Sequence, residues 1–490
     1  MVVEILGTRI IGPVFGVGLF VWSALLAVTL GSLASGYYIG GVLVDRMPTR
    51  RLMGMVVVCA GALLGLVPVL DHVILGLAEG LGPRGGPLVS ATALFTPCLV
   101  ALGMIGPVAV RLSTTELQGT GHRVGSMYAV STAGSLLGTL VTAFLLIPSF
   151  DTDHILFGTS SFLVVVGTVP FLRARNPVTL LALLIPLFGL AVPDGKLPPG
   201  LAILARSQSL YGLLEVVDDA NRNVRFLRAD HSVIGGEYTR DHSPCFGFIS
   251  VLESVRVLRP AAKDLLQIGL GIGSLPSALK PYGIKMDVVE IDPAVVRLAR
   301  DYFAFSPTGD VHIADARSFL RETNRRYDAI VHDTFTGGTT PEHLLSLEVV
   351  QRIRELLRPD GLLVLNFAGY YAGPKAEASF AVARTLRAVF STVRSFRDSA
   401  LDVRPGEASN LIFFASDGAL DFERLQQATS PNPVAENILR SFFGWEVLKE
   451  VPAGPVITDG RNPLARLQLP IAEEHFKDMN QLLPRELWLK

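Results

Sequence analysis

The pattern of apolar and polar positions divides the chain into two parts of different character. In the first part, apolar runs without a charged residue follow one another at 10–44, 52–70, 85–110, 124–150, 155–172 and 177–193. A helix needs about 20 apolar residues to cross the hydrocarbon core of a bilayer with its backbone hydrogen bonds satisfied internally. We therefore predict that residues 1–195 form an N-terminal α-helical transmembrane bundle of five or six spans.

The second part alternates between short apolar runs and helical periodicity. Runs at 265–268, 286–291, 329–332 and 362–367 each suit a strand buried on both faces, and helical segments at 293–303 and 346–357 lie between them. This alternation predicts a parallel, doubly wound sheet, in which ligands bind at the carboxyl ends of the strands. The predicted fold class of this part is an α/β Rossmann-like domain at 246–418.

Flanking segments complete the predicted domain order. A linker rich in Pro and Gly at 193–199 separates the two parts. Two β-rich runs, at 209–217 and 223–227, predict a small β-hairpin region within 196–245. Residues 419–490 form a C-terminal extension in this division.

Charge is distributed as unevenly as hydropathy. The chain carries 43 Lys and Arg against 44 Asp and Glu, and only 17 of these 87 charges fall within the first 195 residues. This balance provides no positive field for a nucleic acid, so we exclude a general nucleic-acid binder. Basic residues collect in alternate connections, at 45–51, 111–123 and 173–175, which predicts a cytoplasmic side for these loops and for the C-terminal part. If the run at 177–193 also crosses, the C-terminal part lies on the opposite side.

One short motif in the first part resembles a transporter signature. Gly-Val-Leu-Val-Asp-Arg at 41–46, followed by Arg50 and Arg51, resembles the loop between the second and third helices of the major facilitator transporters. The centres of the spans hold no charged residue to mark a substrate path, whereas small residues such as Gly36 and Gly134 suit close helix packing. We therefore expect this part to anchor the chain, with transport as the less favoured alternative.

Glycines and acids mark the carboxyl ends of the predicted strands. Gly269, Gly271 and Gly273 follow the first strand, where bare backbone lets a ligand approach closely and the chain turn sharply into a helix. Glu290 ends the second strand, where an acid accepts the hydroxyls of a ribose. Asp315 follows a third apolar stretch, placed to accept from an adenine amino group. Three such features in register predict a nucleoside-binding site.

The nucleoside is not expected to carry a pyrophosphate. The Gly-x-Gly-x-x-Gly pattern of dinucleotide sites would need glycine at Ser274 or at Pro276. S-adenosylmethionine or its decarboxylated form needs only the close approach and the ribose and adenine acceptors. We predict one of these two as the donor cosubstrate and, because the three cysteines show no ligand spacing, no metal.

Several motifs together resemble the spermidine synthases, and in particular the fused membrane form of that family. They lie at 265–273, 289–293, 314–316 and 327–333, with 458–459 and 462–463 similar to the closing motif of fused members. The resemblance implies a β-hairpin domain before a Rossmann-like transferase domain, and transfer of an aminopropyl group from decarboxylated S-adenosylmethionine to an amine. It also implies that Gln208 and Ala316 contact the donor and that Tyr211, His343 and Asp459 contact the acceptor.

Asp333, which follows the run at 329–332, matches the catalytic aspartate of that family. The reaction is an in-line displacement at carbon by a neutral amine, and a carboxylate beside the nitrogen keeps it unprotonated and stabilises the cation that forms. Family members that use diamines carry a second acid three residues later, where this chain has Thr336. A monoamine, an amino acid or a more apolar acceptor is therefore expected, with Gly337 and Gly338 in a mobile loop over the site.

Three functional hypotheses follow from these residues. The first is a membrane-bound transferase that moves an aminopropyl or related alkyl group from the S-adenosyl donor to an amine. The second is an S-adenosylmethionine-dependent methyltransferase, and the third is a non-catalytic transporter or sensor that binds a polyamine or a nucleoside. The expected partners are a small-molecule amine and the lipid bilayer, and a homodimer is left open.

Overall fold

The computed structural model describes residues 2–16, 18–113, 120–174, 197–398 and 407–487. The described chain divides into two compact units. The helical unit holds the described parts of Met1–Pro198, Gln208–Leu213 and Leu483–Lys490, and the α/β unit holds those of Pro199–Ser207 and Leu214–Leu482.

The first of these units is helical, as predicted. Its helices are α1 (Val2–Phe15), α2 (Leu19–Arg46), α3 (Arg50–Gly65), α4 (Val67–Ala78), α5 (Gly82–Ser113), α6 (Thr120–Val141, extended by a π-helical turn at Thr142–Leu146 and a last turn at Ile147–Ser149) and α7 (Thr152–Thr168). The prediction of one continuous helical run at 10–44 is wrong, because helical structure is interrupted between α1 and α2, where Gly16 has a φ of +76°. The run at 52–70 is also divided, at Leu66, just before Pro68 in the first turn of α4.

Close helix contacts explain some of the small residues in this unit. A Cβ atom on Gly36 of α2 would lie 2.3 Å from the carbonyl oxygen of Val100 in α5, so glycine lets these two helices touch. Ser160 of α7 donates a 2.7 Å hydrogen bond to the carbonyl oxygen of Gly61 in α3. Gly134 differs from the prediction, since a Cβ atom there would meet no described atom within 4 Å.

Four helical stretches of this unit have the length and composition needed to cross a bilayer. They are Phe20–Arg46, Val67–Ser113, Gly121–Leu146 and Thr152–Phe171. The run at 177–193, which the sequence analysis counted as a further span, lies outside the described residues. The Arg111 guanidinium lies 3.9 Å from the carboxylate of Asp45, so the basic connections that hold these two residues share one end of the unit.

A four-stranded sheet comes before the main domain. Its strands are β1 (Leu201–Gln208), β2 (Leu213–Asp219), β3 (Val224–Ala229) and β4 (Ser232–Tyr238), in that order across the sheet. The predicted hairpin corresponds to β2 and β3, which pair antiparallel, but the prediction that the first strand begins at 209 is wrong. The residues before Leu213 form a tight turn, in which the Ser209 hydroxyl accepts from the backbone N–H groups of Tyr211 and Gly212.

A buried ion pair crosses this sheet. Arg228 of β3 is 1% exposed and pairs with Glu215 of β2, its cross-strand partner, which is fully buried. Glu215 also accepts a 2.8 Å hydrogen bond from Arg206 of β1. A carboxylate that water cannot reach is stable only while its cations remain in place.

We expect Arg228→Ala to lower the free energy of unfolding by about 3 kcal/mol, because the substitution leaves the buried Glu215 carboxylate with fewer cations. Denaturant unfolding of the purified full chain measures the change. Arg240→Ala is the matched control, since the Arg240 side chain is 74% exposed and its ion pair with Asp241 is worth little. Equal stability of the two variants would contradict this role for Arg228.

The main sheet of the α/β unit has eight strands. They are β5 (Asp264–Ile268), β6 (Lys285–Glu290), β7 (Val311–Ile313), β8 (Tyr327–His332), β9 (Leu357–Gly369), β10 (Thr392–Arg397), β11 (Ser409–Ser416) and β12 (Glu446–Val447), in the order β12-β10-β11-β9-β8-β5-β6-β7. The strands from β5 to β9 run parallel and confirm the predicted sheet, while β10, β11 and β12 join antiparallel. Because β6 and β8 flank β5 on opposite sides, the strand order switches between β5 and β8, where such sheets bind ligands.

Helices accompany these strands. They are α8 (Phe248–Glu253), α9 (Val255–Leu258), α10 (Ser274–Leu279), α11 (Pro293–Tyr302), α12 (Ala316–Glu322), α13 (Leu347–Leu356), α14 (Glu377–Arg387), α15 (Pro433–Ser441), α16 (Leu464–Leu467) and α17 (Leu469–Leu482). Alternate strand residues enter two separate cores, with Ala329 and Val364 in one and Ile330 and Leu363 in the other. This period of two also decides on which face of the sheet each residue at a strand end lies.

Candidate active site

The turn after β5 places bare backbone against the end of β8. Gly269, Gly271 and Gly273 have positive φ angles of +87°, +58° and +81°. A Cβ atom at Gly269 would lie 2.2 Å from the carbonyl oxygen of Asp333, and one at Gly273 would lie 2.4 Å from the ring of Phe305. Only glycine fits at these two positions without a clash. The predicted turn after β5 therefore depends on them, at the point where the strand order switches.

Glu290 holds this turn from the neighbouring strand. Its Oε2 accepts a 3.0 Å hydrogen bond from the Leu270 N–H, and its Oε1 accepts a 2.9 Å bond from the Asp292 N–H. Burial raises the pKa of this carboxyl, and backbone hydrogen bonds from Asp292, Leu270 and Ile291 oppose the rise. A carboxylate offers about four acceptor sites, so this group can still accept from a hydroxyl of a ligand.

Asp315 precedes α12 at the end of the next strand. One carboxylate oxygen caps the helix by accepting from a backbone N–H of its first turn at 2.9 Å, and the other lies 3.8 Å from Nε2 of His343. Ala316, the first helical residue, is buried. The backbone N–H of Ala314 bonds to the carbonyl oxygen of Glu290, which places the two acids at adjacent strand ends.

His343 and Asp459 lie near Asp315. Arg317 of α12 donates a 3.0 Å hydrogen bond to the carbonyl oxygen of His343 and pairs with the carboxylate of Asp459. The hydrogen bond from Arg317 lowers the pKa of the Asp459 carboxyl. These contacts link His343 and Asp459 to Asp315 and Arg317. The predicted contact of His343 and Asp459 with the acceptor stays a prediction.

Asp333 lies at the end of β8 beside Asn366, a residue that the sequence pattern does not mark as part of the site. Nδ2 of Asn366 in β9 donates a 2.9 Å hydrogen bond to Oδ1 of Asp333. Burial raises the pKa of Asp333 to about 6, and the hydrogen bond from Asn366 opposes this only in part. Asn366 is fully buried, and its carbonyl oxygen has no hydrogen-bond partner among the described residues. A carboxyl group at a strand end with a pKa of about 6 is well suited to accept a proton.

The loop after Asp333 closes into a short hairpin. Thr336 and Thr339 exchange backbone hydrogen bonds of 2.7 and 3.2 Å around Gly337 and Gly338, whose φ angles are +57° and +78°. The loop sequence from 334 to 341 contains no acid, and Thr336 carries a neutral hydroxyl. Asp333 is therefore the single negative side chain that this stretch of chain supplies.

Gln208 and Tyr211 are placed by the first sheet. Gln208 is the last residue of β1, and Tyr211 is 51% exposed in the turn that follows it. Both belong to the segment grouped with the helical unit. Their roles toward the donor and the acceptor stay predictions.

One group of residues with metal-type ligands is found in the described part of the chain. Ligand atoms of Asp287, Asp310 and His312 lie within 4.8 Å of one another. Arg325 pairs with both carboxylates, with Nη1 2.5 Å from Asp287 and 3.5 Å from Asp310. The Arg325 guanidinium occupies the space between these two acids and offsets part of their charge, so an ion-pair network accounts for the group.

Residues 251–396 match the family model of the Spermine/spermidine synthase domain. Three known proteins are also similar to this chain, each over a different part of it. The N-terminal histidine N-methyltransferase of Emericella nidulans is 28% identical over 96% of this chain and 94% of its own length. The polyamine aminopropyltransferase of Vibrio vulnificus is 38% identical over 25% of this chain and 43% of its own length. A probable spermidine synthase from Corynebacterium glutamicum, a solved structure, aligns with a TM-score of 0.41 and 16% identity over 52% of this chain and 98% of its own.

The matched domain and the sequence relatives define this chain as a transferase. The match at 251–396 contains the glycine turn, Glu290, Asp315 and Asp333, so the shared region is the one that holds the candidate site. The chain spans less than half of the aminopropyltransferase. The relative from Emericella nidulans extends the similarity to the helical unit, because its alignment covers nearly the whole chain.

Proposed function

We propose that the chain is a membrane-bound N-methyltransferase that moves a methyl group from S-adenosylmethionine to the α-amine at the N-terminus of a peptide or protein. The similarity over 96% of the chain to an N-terminal histidine N-methyltransferase supports methyl transfer to a nitrogen of an N-terminal residue. The choice of the α-amine over the imidazole nitrogens is part of this proposal and is tested below. The site adds a second argument, because Thr336 replaces the acid that would bind the far end of a diamine. An N-terminal amine presents one positive group and needs one acid.

The proposed donor contacts come from the turn after β5 and from the acids at the next two strand ends. Bare backbone at Gly269 and Gly271 lets the sulfonium end of the donor approach Asp333. The remaining lone pairs of Glu290 accept the ribose hydroxyls. Asp315 lies one strand further along the sheet, where the adenine of the same nucleoside would extend.

The reaction needs a proton acceptor beside the nucleophilic nitrogen. The neutral amine attacks the methyl carbon in line with the sulfur, so that a carbon–nitrogen bond forms and the carbon–sulfur bond breaks, with its electron pair passing to sulfur. The proton released by the nitrogen passes to the carboxylate of Asp333. Asn366 binds Oδ1 of that carboxylate, which leaves Oδ2 to take the proton.

A methyl-transfer assay tests this proposal. Purified full chain in nanodiscs is incubated with S-adenosylmethionine labelled in its methyl group and with peptides that begin with histidine. Peptides of the same sequence with an acetylated N-terminus are the control. We expect label in the free peptides alone. Label in both peptides would overturn the assignment to the α-amine and point to an imidazole nitrogen, and label in neither would overturn the proposed function.

Aminopropyl transfer is the second candidate, because residues 251–396 match the Spermine/spermidine synthase domain. It would use the same base, Asp333, and an amine acceptor without a second cationic end. Mass spectrometry separates the two reactions, since decarboxylated S-adenosylmethionine adds an aminopropyl group and S-adenosylmethionine adds a methyl group. Binding of either donor without any product would instead favour the non-catalytic sensor or transporter.

We also propose that the four long apolar helices anchor the chain in a membrane, with the transferase domain on the cytoplasmic side. Large apolar side chains on these helices are exposed, among them Tyr128 at 69%, Phe144 at 74% and Phe162 at 67%, and a lipid phase would cover them. Protease treatment of sealed vesicles of known orientation tests the side. Protection of the transferase domain in vesicles with the cytoplasmic face outward would place it on the opposite side.

We expect kcat to rise with pH through an acidic limb near pH 6, because Asp333 accepts a proton only in its ionised form and has a pKa of about 6. Burial lowers the pKa of His332 and His475 to about 4, so neither ring produces this limb. A pH profile of kcat at saturating substrates measures it. A limb that lies well below pH 5, about where an ordinary carboxyl titrates, would contradict the assignment.

The raised pKa of Asp333 affects stability in the direction opposite to its effect on activity. The pKa of Asp333 is raised above its ordinary value of 3.8, so the folded chain binds this proton more tightly than the unfolded chain does. The contribution of Asp333 to the free energy of unfolding therefore falls as pH rises from 3.8 to about 6. Activity and the contribution of Asp333 to stability are therefore expected to change in opposite directions over this interval, which pH-dependent unfolding of the wild type and of Asp333→Asn measures.

A further inference from the structure

A C-terminal segment beyond the matched domain, residues 458–475, contacts the loop that follows the base, residues 336–343. The side-chain amide of Gln468 binds both backbone groups of Thr340. Its Oε1 accepts from the Thr340 N–H at 3.0 Å, and its Nε2 donates to the Thr340 carbonyl oxygen at 2.9 Å. Gln468 is 2% exposed and Thr340 is 1% exposed, so water does not compete for these bonds.

His475 of α17 supports the tip of the same loop. A Cβ atom at Gly338 would lie 2.3 Å from Cγ of the His475 ring, so the loop backbone rests directly on the imidazole. Nε2 of the ring lies 2.8 Å from Oγ of Ser232 at the start of β4. One side chain of the C-terminal segment thus contacts both the loop and the first sheet.

The far end of the loop is held by the start of the C-terminal segment. Asn462 donates a 2.8 Å hydrogen bond to the carbonyl oxygen of Glu342. Arg317, which pairs with Asp459, donates to the carbonyl oxygen of His343 at 3.0 Å. Contacts with the C-terminal segment therefore run from the tip of the loop to its end.

We propose that Gln468 and His475 are positioning residues that fix the loop at 336–343 beside Asp333 and so set how the acceptor amine meets the base. This inference rests on the proposed function. Thr336 begins the loop three residues after Asp333, so the position of the loop decides the space next to the carboxylate. A displacement of about 1 Å at such a place costs roughly 100-fold in rate.

Gln468→Ala tests the proposal by removing both hydrogen bonds to Thr340. We expect kcat/KM for the peptide to fall roughly 10- to 100-fold, mainly through kcat, with the Kd for S-adenosylmethionine unchanged. Gln468→Glu keeps the oxygen that accepts from the Thr340 N–H. Its kcat/KM for the peptide should therefore lie between the values of Gln468→Ala and the wild type. Lys477→Ala, at an exposed position of α17, is the matched control. An unchanged kcat for the peptide in Gln468→Ala would overturn the proposal.

Hydrogen exchange provides a readout that does not depend on turnover. We expect the backbone amides of 336–343 to exchange faster in Gln468→Ala than in Lys477→Ala, because the Thr340 N–H loses its acceptor. If exchange is faster in Gln468→Ala but neither the wild type nor any variant transfers a methyl group, the proposed function is rejected. The contact between Gln468 and Thr340 is then still supported. Methyl transfer with unchanged exchange would reject the positioning role alone. Asn462→Ala, which removes one bond at the far end, serves the same test if Gln468→Ala does not fold.

A double-mutant cycle isolates the contact between Gly338 and His475. Gly338→Ala alone should reduce kcat/KM, because the new Cβ atom meets the imidazole ring and because alanine is strained at a φ of +78°. His475→Ala opens that space, so we expect it to restore part of the activity lost in Gly338→Ala. Strictly additive losses in the double variant would show that the loop does not rest on His475, and would overturn this part of the proposal.

Discussion

The Asp333→Asn variant is expected to lose turnover by roughly three orders of magnitude and to bind the donor as the wild type does. The amide keeps the shape of the side chain, and its oxygen still accepts the hydrogen bond from Asn366. It cannot take up a proton, so the amine would have to lose its proton to water. Single-turnover methyl transfer and calorimetric titration with S-adenosylmethionine measure the two quantities.

The same substitution at an exposed aspartate controls for the loss of one negative charge. Asp301 of α11 is exposed, so Asp301→Asn changes the net charge equally and should leave turnover unchanged. Turnover within a few-fold of the wild type in Asp333→Asn would remove this residue from the chemistry. Loss of donor binding in the same variant would make Asp333 a donor ligand instead.

The Glu290→Gln variant is expected to weaken donor binding by roughly 100-fold, because hydrogen bonds to a charged group are among the stronger ones. The carboxylate accepts from two backbone N–H groups and from the proposed ribose hydroxyls. An amide offers one oxygen for these donors, and its NH₂ group faces one of the two N–H groups without an acceptor. Calorimetric titration with S-adenosylmethionine measures the change in Kd.

Glu322→Gln is the control for Glu290→Gln, since Glu322 is an exposed glutamate at the end of α12. It should bind the donor normally. Turnover at saturating donor should remain in Glu290→Gln, because Asp333 is unchanged. A fall in kcat with an unaltered Kd would assign Glu290 to the chemical step and contradict its role in donor binding.

The parts of the site that follow local rules were open to prediction from the sequence. The glycine turn, Glu290 and Asp315 stand at the carboxyl ends of consecutive strands, and the strands show themselves as apolar runs. Parallel strands bring their carboxyl ends to one edge, so linear order was enough to group these residues. The start of β2 was not predicted correctly, because the hydroxyl of Ser209 favours a turn over the β propensity of its neighbours.

Other features of the site depend on contacts between segments that are distant in the sequence. Asn366 was hidden inside the apolar run at 362–367, although a single polar residue in such a run is a signal that its amide meets a partner. Gln468 and His475 lie more than 120 residues beyond the loop that they contact, and nothing in their own neighbourhood marks that contact. Only the folded chain reveals such pairs.

In the helical unit, the hydropathy pattern located the apolar runs but did not predict the residues at which the helices end. The run at 10–44 looks uniform, yet Gly16 in a left-handed conformation separates two helices. Hydropathy averages over such a residue, because glycine is neither strongly polar nor charged. The conformational freedom of glycine decides the boundary instead.

The close approach of the Gly269 backbone to the Asp333 carbonyl oxygen couples the proposed donor pocket to the proposed base. A side chain at 269 would push the strand end that carries the base, so donor affinity and base alignment cannot be tuned separately there. A new acceptor preference is easier to acquire elsewhere, in segments that touch the incoming amine and leave this junction alone. Engineering of acceptor choice should therefore begin at the threonines around Gly337 and Gly338 and keep the glycine at 269.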